Sequence, residues 1–222
     1  MTSLTDELSA KRAWAAANIP ADKQTIMHAA TAALKASGIV DRALGKGSQL
    51  PDFTLPNAKG EPRALRELLA SGPLVISFYR GGWCPYCNLE LRGLQRALPE
   101  LRAAGASLVA ITPELPDKSL TTQEKNELEF EVLTDRGNTF ARQLGLVFQL
   151  PADLQGVYRA FDLNIPAYNG DDGWELPLPA TYVVAPDRTV QFAYVDADYT
   201  YRADPADVVA ALQGLTNGGN AS

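Results

Sequence analysis

Residues 74–79 form a continuous apolar run, Leu74-Val75-Ile76-Ser77-Phe78-Tyr79, and Trp83-Cys84-Pro85-Tyr86-Cys87 stands just beyond it. An amphipathic stretch follows, with Leu91, Leu94, Leu98 and Leu101 at helical spacing. A strand that is apolar at successive positions is buried on both faces. It therefore belongs inside a mostly parallel sheet with helices above and below. Cys84 and Cys87 are the only cysteines of the chain, and the pattern hands both to the first turn of a helix. The unpaired N–H groups and the macrodipole there favour negative charge, so a thiol at that place loses its proton readily. A Cys-x-x-Cys pair at a strand-to-helix junction is suited to reversible dithiol–disulfide chemistry.

The rest of the chain continues the alternation. Residues 85–104 read as a helix with a kink at Pro99 and a stop at Gly105. Residues 107–112 read as a strand, 117–126 as a helix, 129–133 as a short strand and 138–145 as a helix ended by Gly145. Strands at 181–185 and 190–195 are joined by Pro186-Asp187-Arg188, and a closing helix covers 205–215 with Pro205 in its first turn. Upstream lie a short strand at 52–55 and a short helix at 62–70. Residues 146–178 are rich in Pro, Gly, Asn, Asp and aromatics and are expected to be a long loop covering a site, with Trp174 as lid or anchor.

Three segments are expected: a helical N-terminal arm at 1–47, the main α/β domain at 48–215 and a flexible, Gly-rich tail at 216–222. The arm has a modest apolar face, Ile26, Ala29, Ala30, Ala33 and Leu34, with which it could pack on the main domain or join two copies as a homodimer. Nothing in the arm suggests chemistry.

A net charge of −6 without any basic run argues against a nucleic-acid partner or an anionic membrane surface. No apolar run approaches the roughly 20 residues of a membrane helix. Acids appear early, at Asp6 and Glu7, with no positive-then-apolar leader pattern, so a cytoplasmic protein is expected. The single histidine, His28, is distant from Cys84 and Cys87, so a zinc site lacks its ligands and no metal or organic cofactor is expected.

The segment from Phe78 to Cys87 resembles the strand–Trp–Cys-x-x-Cys–helix motif of the thioredoxin superfamily, with the Pro-Tyr dipeptide of glutaredoxins inside it. Pro51-Asp52-Phe53-Thr54-Leu55, Phe78-Tyr79 and Thr181-Tyr182-Val183-Val184 are similar to marks of the peroxiredoxin branch, the AhpC/TSA family. The resemblance covers about residues 48–215 and implies a three-layer α/β/α thioredoxin-like fold with a helical N-terminal arm. It also implies a thiol-dependent peroxidase acting on hydrogen peroxide or alkyl hydroperoxides through a Cys84–Cys87 pair. Thioredoxin, glutaredoxin or glutathione would be the reductant. Two other readings stay open: a general dithiol–disulfide oxidoreductase, and a non-catalytic redox sensor read out through the arm.

The resemblance has departures. Aligning Phe78-Tyr79 without a gap puts Arg80 where peroxiredoxins carry a proline, Cys84 where they carry a threonine and Cys87 at the attacking cysteine. Thioredoxins instead attack with the first cysteine, here Cys84, the choice favoured because Cys87 one turn further in can resolve the bond. The arginine that peroxiredoxins hold on the strand at 181–184 is missing. The stretch Leu178-Pro179-Ala180 resembles the cis-proline loop of thioredoxins, which would offer Pro179 and its neighbouring backbone to a substrate disulfide. Pro85 shapes the first helical turn. Trp83 and Tyr86 flank the sulfurs, as packing or as a docking surface. Arg80 is either a thiolate and peroxide stabiliser or a solvated cation. Thr112 ends a strand at the sheet edge where ligands collect. Glu90, sharing a helical face with Cys87, reads as a proton relay or, the reading preferred, a solvated acid, and Tyr194, Asp196, Asp198, Tyr199 and Arg202 as an interface or supporting cluster without a catalytic role.

Overall fold

The computed structural model describes residues 3–218, with side chains to residue 215. Two helices lead the chain, α1 (Leu4–Asn18) and α2 (Ala21–Ala36), followed by a single turn, α3 (Ile39–Arg42). Ser3 caps α1 by accepting from the Asp6 N–H at 3.1 Å. A small antiparallel ladder then forms from β1 (Thr54–Pro56) and β2 (Pro62–Ala64). The expected helix at 62–70 is correspondingly shorter, α4 (Leu65–Leu68), because residues 62–64 extend to pair with β1.

The main sheet begins with β3 (Leu74–Phe78), and after the Cys84 turn comes α5 (Pro85–Ala103). Helix α5 runs on through Pro99, which lies on its exposed side, away from the core. Next come β4 (Ser107–Thr112), α6 (Pro116–Lys125), β5 (Glu131–Thr134) and α7 (Thr139–Gln143). Residues 146–178, expected as a loop, instead hold β6 (Val147–Gln149), α8 (Ala152–Ala160), α9 (Ile165–Asn169) and β7 (Glu175–Pro177), with β6 and β7 paired antiparallel. Leu150, Leu154, Val157 and Tyr158 recur at helical spacing and enclose a separate small core with Ile165, Trp174 and Leu176. The chain ends with β8 (Ala180–Val184), β9 (Val190–Val195) and α10 (Pro205–Gly218). Of the expected tail at 216–222, residues 216–218 continue α10 and 219–222 lie outside the described residues.

The central sheet is five-stranded in the order β5-β4-β3-β8-β9. Strands β3, β4 and β5 are parallel, while β8 and β9 are antiparallel to their neighbours. The period of two along the strands splits the core. Val75, Tyr79, Leu108, Ala110, Val132 and Val183 face α5 and α10. Leu74, Ile76, Phe78, Ile111, Leu133 and Tyr182 face the opposite layer around Leu65, Phe140 and Leu144. The three-layer α/β/α arrangement is therefore present. No described helix is long and apolar enough to cross a membrane.

The arm packs on its own chain. Leu4 and Leu8 of α1 enter the core beneath α5, and Gly93 is what lets α1 approach, since a Cβ there would lie 3.2 Å from Leu4 Cδ2. Ile26, Met27 and Ala30 of α2 pack against the small core around α8. Gln24 Nε2 donates to Ala16 O at 3.0 Å and Ile19 O at 2.7 Å, bracing the turn between the two helices. Gly93→Leu is expected to lift α1 off α5 by overpacking. Hydrogen exchange should then show residues 4–18 unprotected while the amides of β3 and β4 stay protected.

Candidate active site

Strand β3 delivers the chain to a tight loop at its carboxyl edge. The Tyr79 N–H still donates to Ile111 O at 3.0 Å, so the sheet ladder holds the loop's first residue. Gly81 and Gly82 follow because nothing larger fits. A Cβ on Gly82 would sit 1.9 Å from Thr122 Oγ1, and one on Gly81 would strike the Trp83 indole and Glu114. The Gly82 N–H donates to Glu114 Oε2 at 2.8 Å, and Asn88 Nδ2 donates back to Gly82 O at 2.8 Å and Cys84 O at 3.0 Å. Asn126 Nδ2 in turn donates to Asn88 Oδ1 at 2.7 Å. This buried lattice fixes Cys84 as the N-cap of α5, with Pro85 at the start of the helix and Cys87 one turn in.

Both cysteines are free thiols and fully enclosed, at 1% and 0% exposure. Their surroundings push them in opposite directions. Burial alone would raise the Cys84 thiol. The hydrogen bond from Cys87, the charges of Arg80 and Arg202 and the Cys87 N–H together outweigh it and bring Cys84 down to about 5. Burial and the neighbouring Cys84 sulfur push the Cys87 thiol well up. These opposed shifts favour a thiolate at Cys84 beside a protonated thiol at Cys87.

Arg80 is not a solvated cation. It is 2% exposed and boxed by aromatic rings, with its guanidinium 4.3 Å from the Tyr199 ring centroid, 5.1 Å from Trp83 and 5.9 Å from Tyr158. It also donates through Nη2 to the Tyr158 hydroxyl, and its buried Nε has no partner among the described residues. Trp83 and Tyr86 extend the box, Trp83 edge-on to Tyr158 at 5.7 Å and Tyr86 edge-on to Tyr199 at 5.7 Å.

Arg202, set aside by sequence reasoning, lies beneath the dithiol. Its Nη2 donates to Cys87 Sγ at 3.2 Å and its Nε to Glu90 Oε2 at 2.5 Å. Its Nη1 is taken by the carbonyls of Tyr199 and Tyr201. Glu90 is accordingly no solvated acid. It is 1% exposed, accepts from Thr181 Oγ1 at 3.2 Å, and burial pushes its carboxyl up to about 7 against the pull of Arg202. The strand at 181–184 carries no arginine, and the two guanidiniums beside the dithiol, Arg80 and Arg202, come from loops. Glu114, also passed over, is pushed up by burial to about 7 even though the Gly82 N–H donates to it.

Two other expectations change. There is no cis peptide bond among the described residues, so Leu178-Pro179 is trans. The backbone that a cis-proline loop would offer is already used: Pro177 pairs with Val147, and the Leu178 N–H donates to Leu146 O at 2.8 Å. The strand β6 inside the supposed loop is what occupies this edge. Pro179 itself is buried at the joint between β7 and β8. Thr112 ends β4, and its hydroxyl accepts from the Glu114 N–H at 3.4 Å, so it shapes the Glu114 turn. Trp174 is an anchor, buried in the small core with the Arg159 guanidinium 4.5 Å over its ring.

A cleft of about 580 Å³ opens above the dithiol, bordered by Arg80, Trp83, Cys84, Tyr158 and Tyr199 but not by Cys87. Its other walls come from α1 and α2, from Phe161 and Leu163, and from the segment 198–201, so His28, distant in sequence, faces the same cleft as Cys84. The arm's place here was hidden from sequence because its apolar positions are mostly alanine. The pairing of Arg202 with Glu90 spans 112 positions of chain, which no local spacing reveals.

A profile of the AhpC/TSA family matches residues 46–193. The chloroplastic peroxiredoxin Q of Gentiana triflora is 28% identical over 151 residues, which are 68% of this chain and 59% of that protein. The chloroplastic peroxiredoxin Q of Sedum lineare is 28% identical over 149 residues, 67% of this chain and 68% of the relative. Among solved structures, peroxidoxin BcpB from Mycobacterium tuberculosis superposes with a TM-score of 0.61 at 24% identity, covering 78% of this chain and 98% of that one. Peroxiredoxin 6 of Arenicola marina gives 0.62 at 14% identity over 80% of this chain and 76% of its own. These two likenesses are of fold. The family profile, resting on the stretch that contains both cysteines, decides the assignment: the chain belongs to the AhpC/TSA family of peroxiredoxins within the thioredoxin superfamily.

Proposed function

We propose that the protein is a thiol peroxidase in which Cys84 attacks hydrogen peroxide or an alkyl hydroperoxide and Cys87 resolves the product. The observation that carries this reading is the asymmetry of the pair. Cys84 borders the cleft and is held as a thiolate at about 5, whereas Cys87 lies outside the lining with its thiol pushed up. The Cys84 sulfur gives an electron pair to one peroxide oxygen, the O–O bond breaks, and the leaving alkoxide or hydroxide takes a proton. Cys84 becomes a sulfenic acid, oxidised by two electrons. The Cys87 thiol then condenses with it, forming the S–S bond and releasing water. Two electrons and two protons from thioredoxin, glutaredoxin or glutathione restore the dithiol. In this reading the unpartnered Arg80 Nε donates to the oxygen on which charge develops.

The general oxidoreductase reading retains the Pro-Tyr dipeptide in its favour. The closed edge at Pro177 and Leu178 weighs against docking of a peptide disulfide there. Mixing the reduced protein with hydrogen peroxide, and separately with a mixed disulfide, discriminates by the rate of thiol loss. Peroxide consumption no faster than that of free cysteine would refute the peroxidase, and rapid loss with the disulfide alone would favour the oxidoreductase.

Dimedone trapping of sulfenic acid assigns the attacking sulfur: the adduct is expected in Cys87→Ser and absent in Cys84→Ser, and the reverse pattern would exchange the roles. Alkylation of Cys84 by iodoacetamide follows the thiolate. Its rate should rise as pH increases through about 5 and level off well below the ordinary thiol range. Arg80→Met should move that midpoint upward and slow peroxide reduction about 100-fold, the scale of one lost transition-state donor.

A further inference from the structure

The N-terminal helices fall outside the stretch matched by the family profile, yet they form a large part of the cleft over Cys84. Three properties of that cleft bear on what it holds. First, its lining is mostly apolar and aromatic, and Trp14 and Tyr201, at 53% and 44% exposure, leave large rings open to solvent. Exposed rings of this size mark contact surfaces. Second, the charges facing the cleft are unbalanced in a chain of net charge −6. Lys11, Arg12, Lys35 and Arg80 stand against Asp198 alone, with His28 as the remaining titratable group besides the tyrosines and Cys84. Lys35 is spent on Asp198 at 3.4 Å. Lys11 and Arg12 form no ion pair among the described residues; Lys11 lies 3.6 Å from the Trp14 ring centroid, and Arg12 lies 4.5 Å from the Tyr201 ring centroid and donates to Thr200 O at 3.0 Å, so each cation rests on one of the two exposed rings. Third, the walls are fixed: the Gln24 brace sets the angle of α1 to α2, and Arg12 and Lys35 tie both helices to the loop after β9.

We infer that the helix pair is a specificity wall, and that the cleft takes an organic hydroperoxide with an apolar body and an anionic end, the anion held by Lys11 and Arg12. The inference deepens the peroxidase reading and rests on it for the reacting end of the ligand. About 580 Å³ is far more than hydrogen peroxide fills, and an apolar body displaces water from the aromatic walls. A carboxylate answers the two unpaired cations. The covalent step is the one already given: the O–O bond of the bound hydroperoxide breaks, Cys84 takes the terminal oxygen, and the alcohol leaves.

Second-order rate constants of the reduced protein with linoleic acid hydroperoxide, cumene hydroperoxide and hydrogen peroxide are expected to fall in that order. In Lys11→Gln/Arg12→Gln the ratio of the linoleic acid hydroperoxide constant to the hydrogen peroxide constant should drop at least about tenfold, the scale of one lost charge-assisted hydrogen bond. In Ala15→Trp, which fills the cleft, the ratios of both organic substrates to hydrogen peroxide should drop. Binding of laurate, which carries no peroxide, is read separately by tryptophan fluorescence. It should saturate with the natural sequence and weaken in both variants. Laurate binding without any peroxide reduction would retain the cleft and remove the peroxidase. Equal constants for all three peroxides, unchanged ratios in the variants, or laurate with no effect would overturn the inference.

Discussion

The Arg202 guanidinium lies between Glu90 and Cys87 with almost no exposure, and a charge in that position costs several kcal/mol unless it is answered on every side. Much of the structure around it is that answer. Glu90 supplies the counter-charge from α5, the carbonyls of Tyr199 and Tyr201 take the remaining donors, and Thr181 on β8 holds the second carboxylate oxygen. The pair therefore ties the helix that carries the cysteines to the central sheet and to the segment between β9 and α10. Arg80, a residue of the cleft lining, is answered differently, by aromatic faces and the Tyr158 hydroxyl, which leaves its buried Nε–H uncommitted among the described residues. One arginine is structural and saturated; the other is held with spare donor capacity.

Tyr158 connects this centre to parts of the chain that seemed unrelated to it. It comes from α8, inside the stretch between β5 and β8, and α8 is also what α2 packs against. The stretch thus has two tasks. It closes the aromatic box around Arg80, and it supplies the platform on which the arm sits, so that the arm reaches the cleft. Its β6 strand has a further effect in covering the backbone edge at Pro177 and Leu178. A fold able to present a backbone edge for peptide pairing has here closed that edge and opened an enclosed cleft.

The features legible in sequence were those written in consecutive residues. Residues 74–87 carry a buried strand, a glycine loop, a proline at the helix start and both thiols, and each is set by local spacing. The central order of strands and helices followed from the same periodicity. Arg202 and Glu90 were not legible, because a buried ion pair between distant positions has the same composition as two exposed charges. The stretch at 146–178 misled through its Pro and Gly content, although Leu150, Leu154, Val157 and Tyr158 kept the helical period inside it. The cis-proline resemblance failed for a related reason: the residues matched, but the partner strand β6 that uses their backbone lay in the misread segment.

The two guanidiniums also bear on the energetics of the electron pair that the sulfurs would exchange in the proposed reaction. Reduced, the site holds a negative sulfur that Arg80 and Arg202 both stabilise. A disulfide between Cys84 and Cys87 carries no charge, so closing it forfeits those attractions: Arg202 keeps Glu90, while Arg80 keeps only its aromatic box and the Tyr158 hydroxyl. Whatever stabilises the dithiol relative to the disulfide raises the reduction potential of the couple. In the proposed peroxidase, the arrangement that would make Cys84 a ready nucleophile would also make its oxidised product a ready electron acceptor, so the same two charges would serve both halves of the cycle.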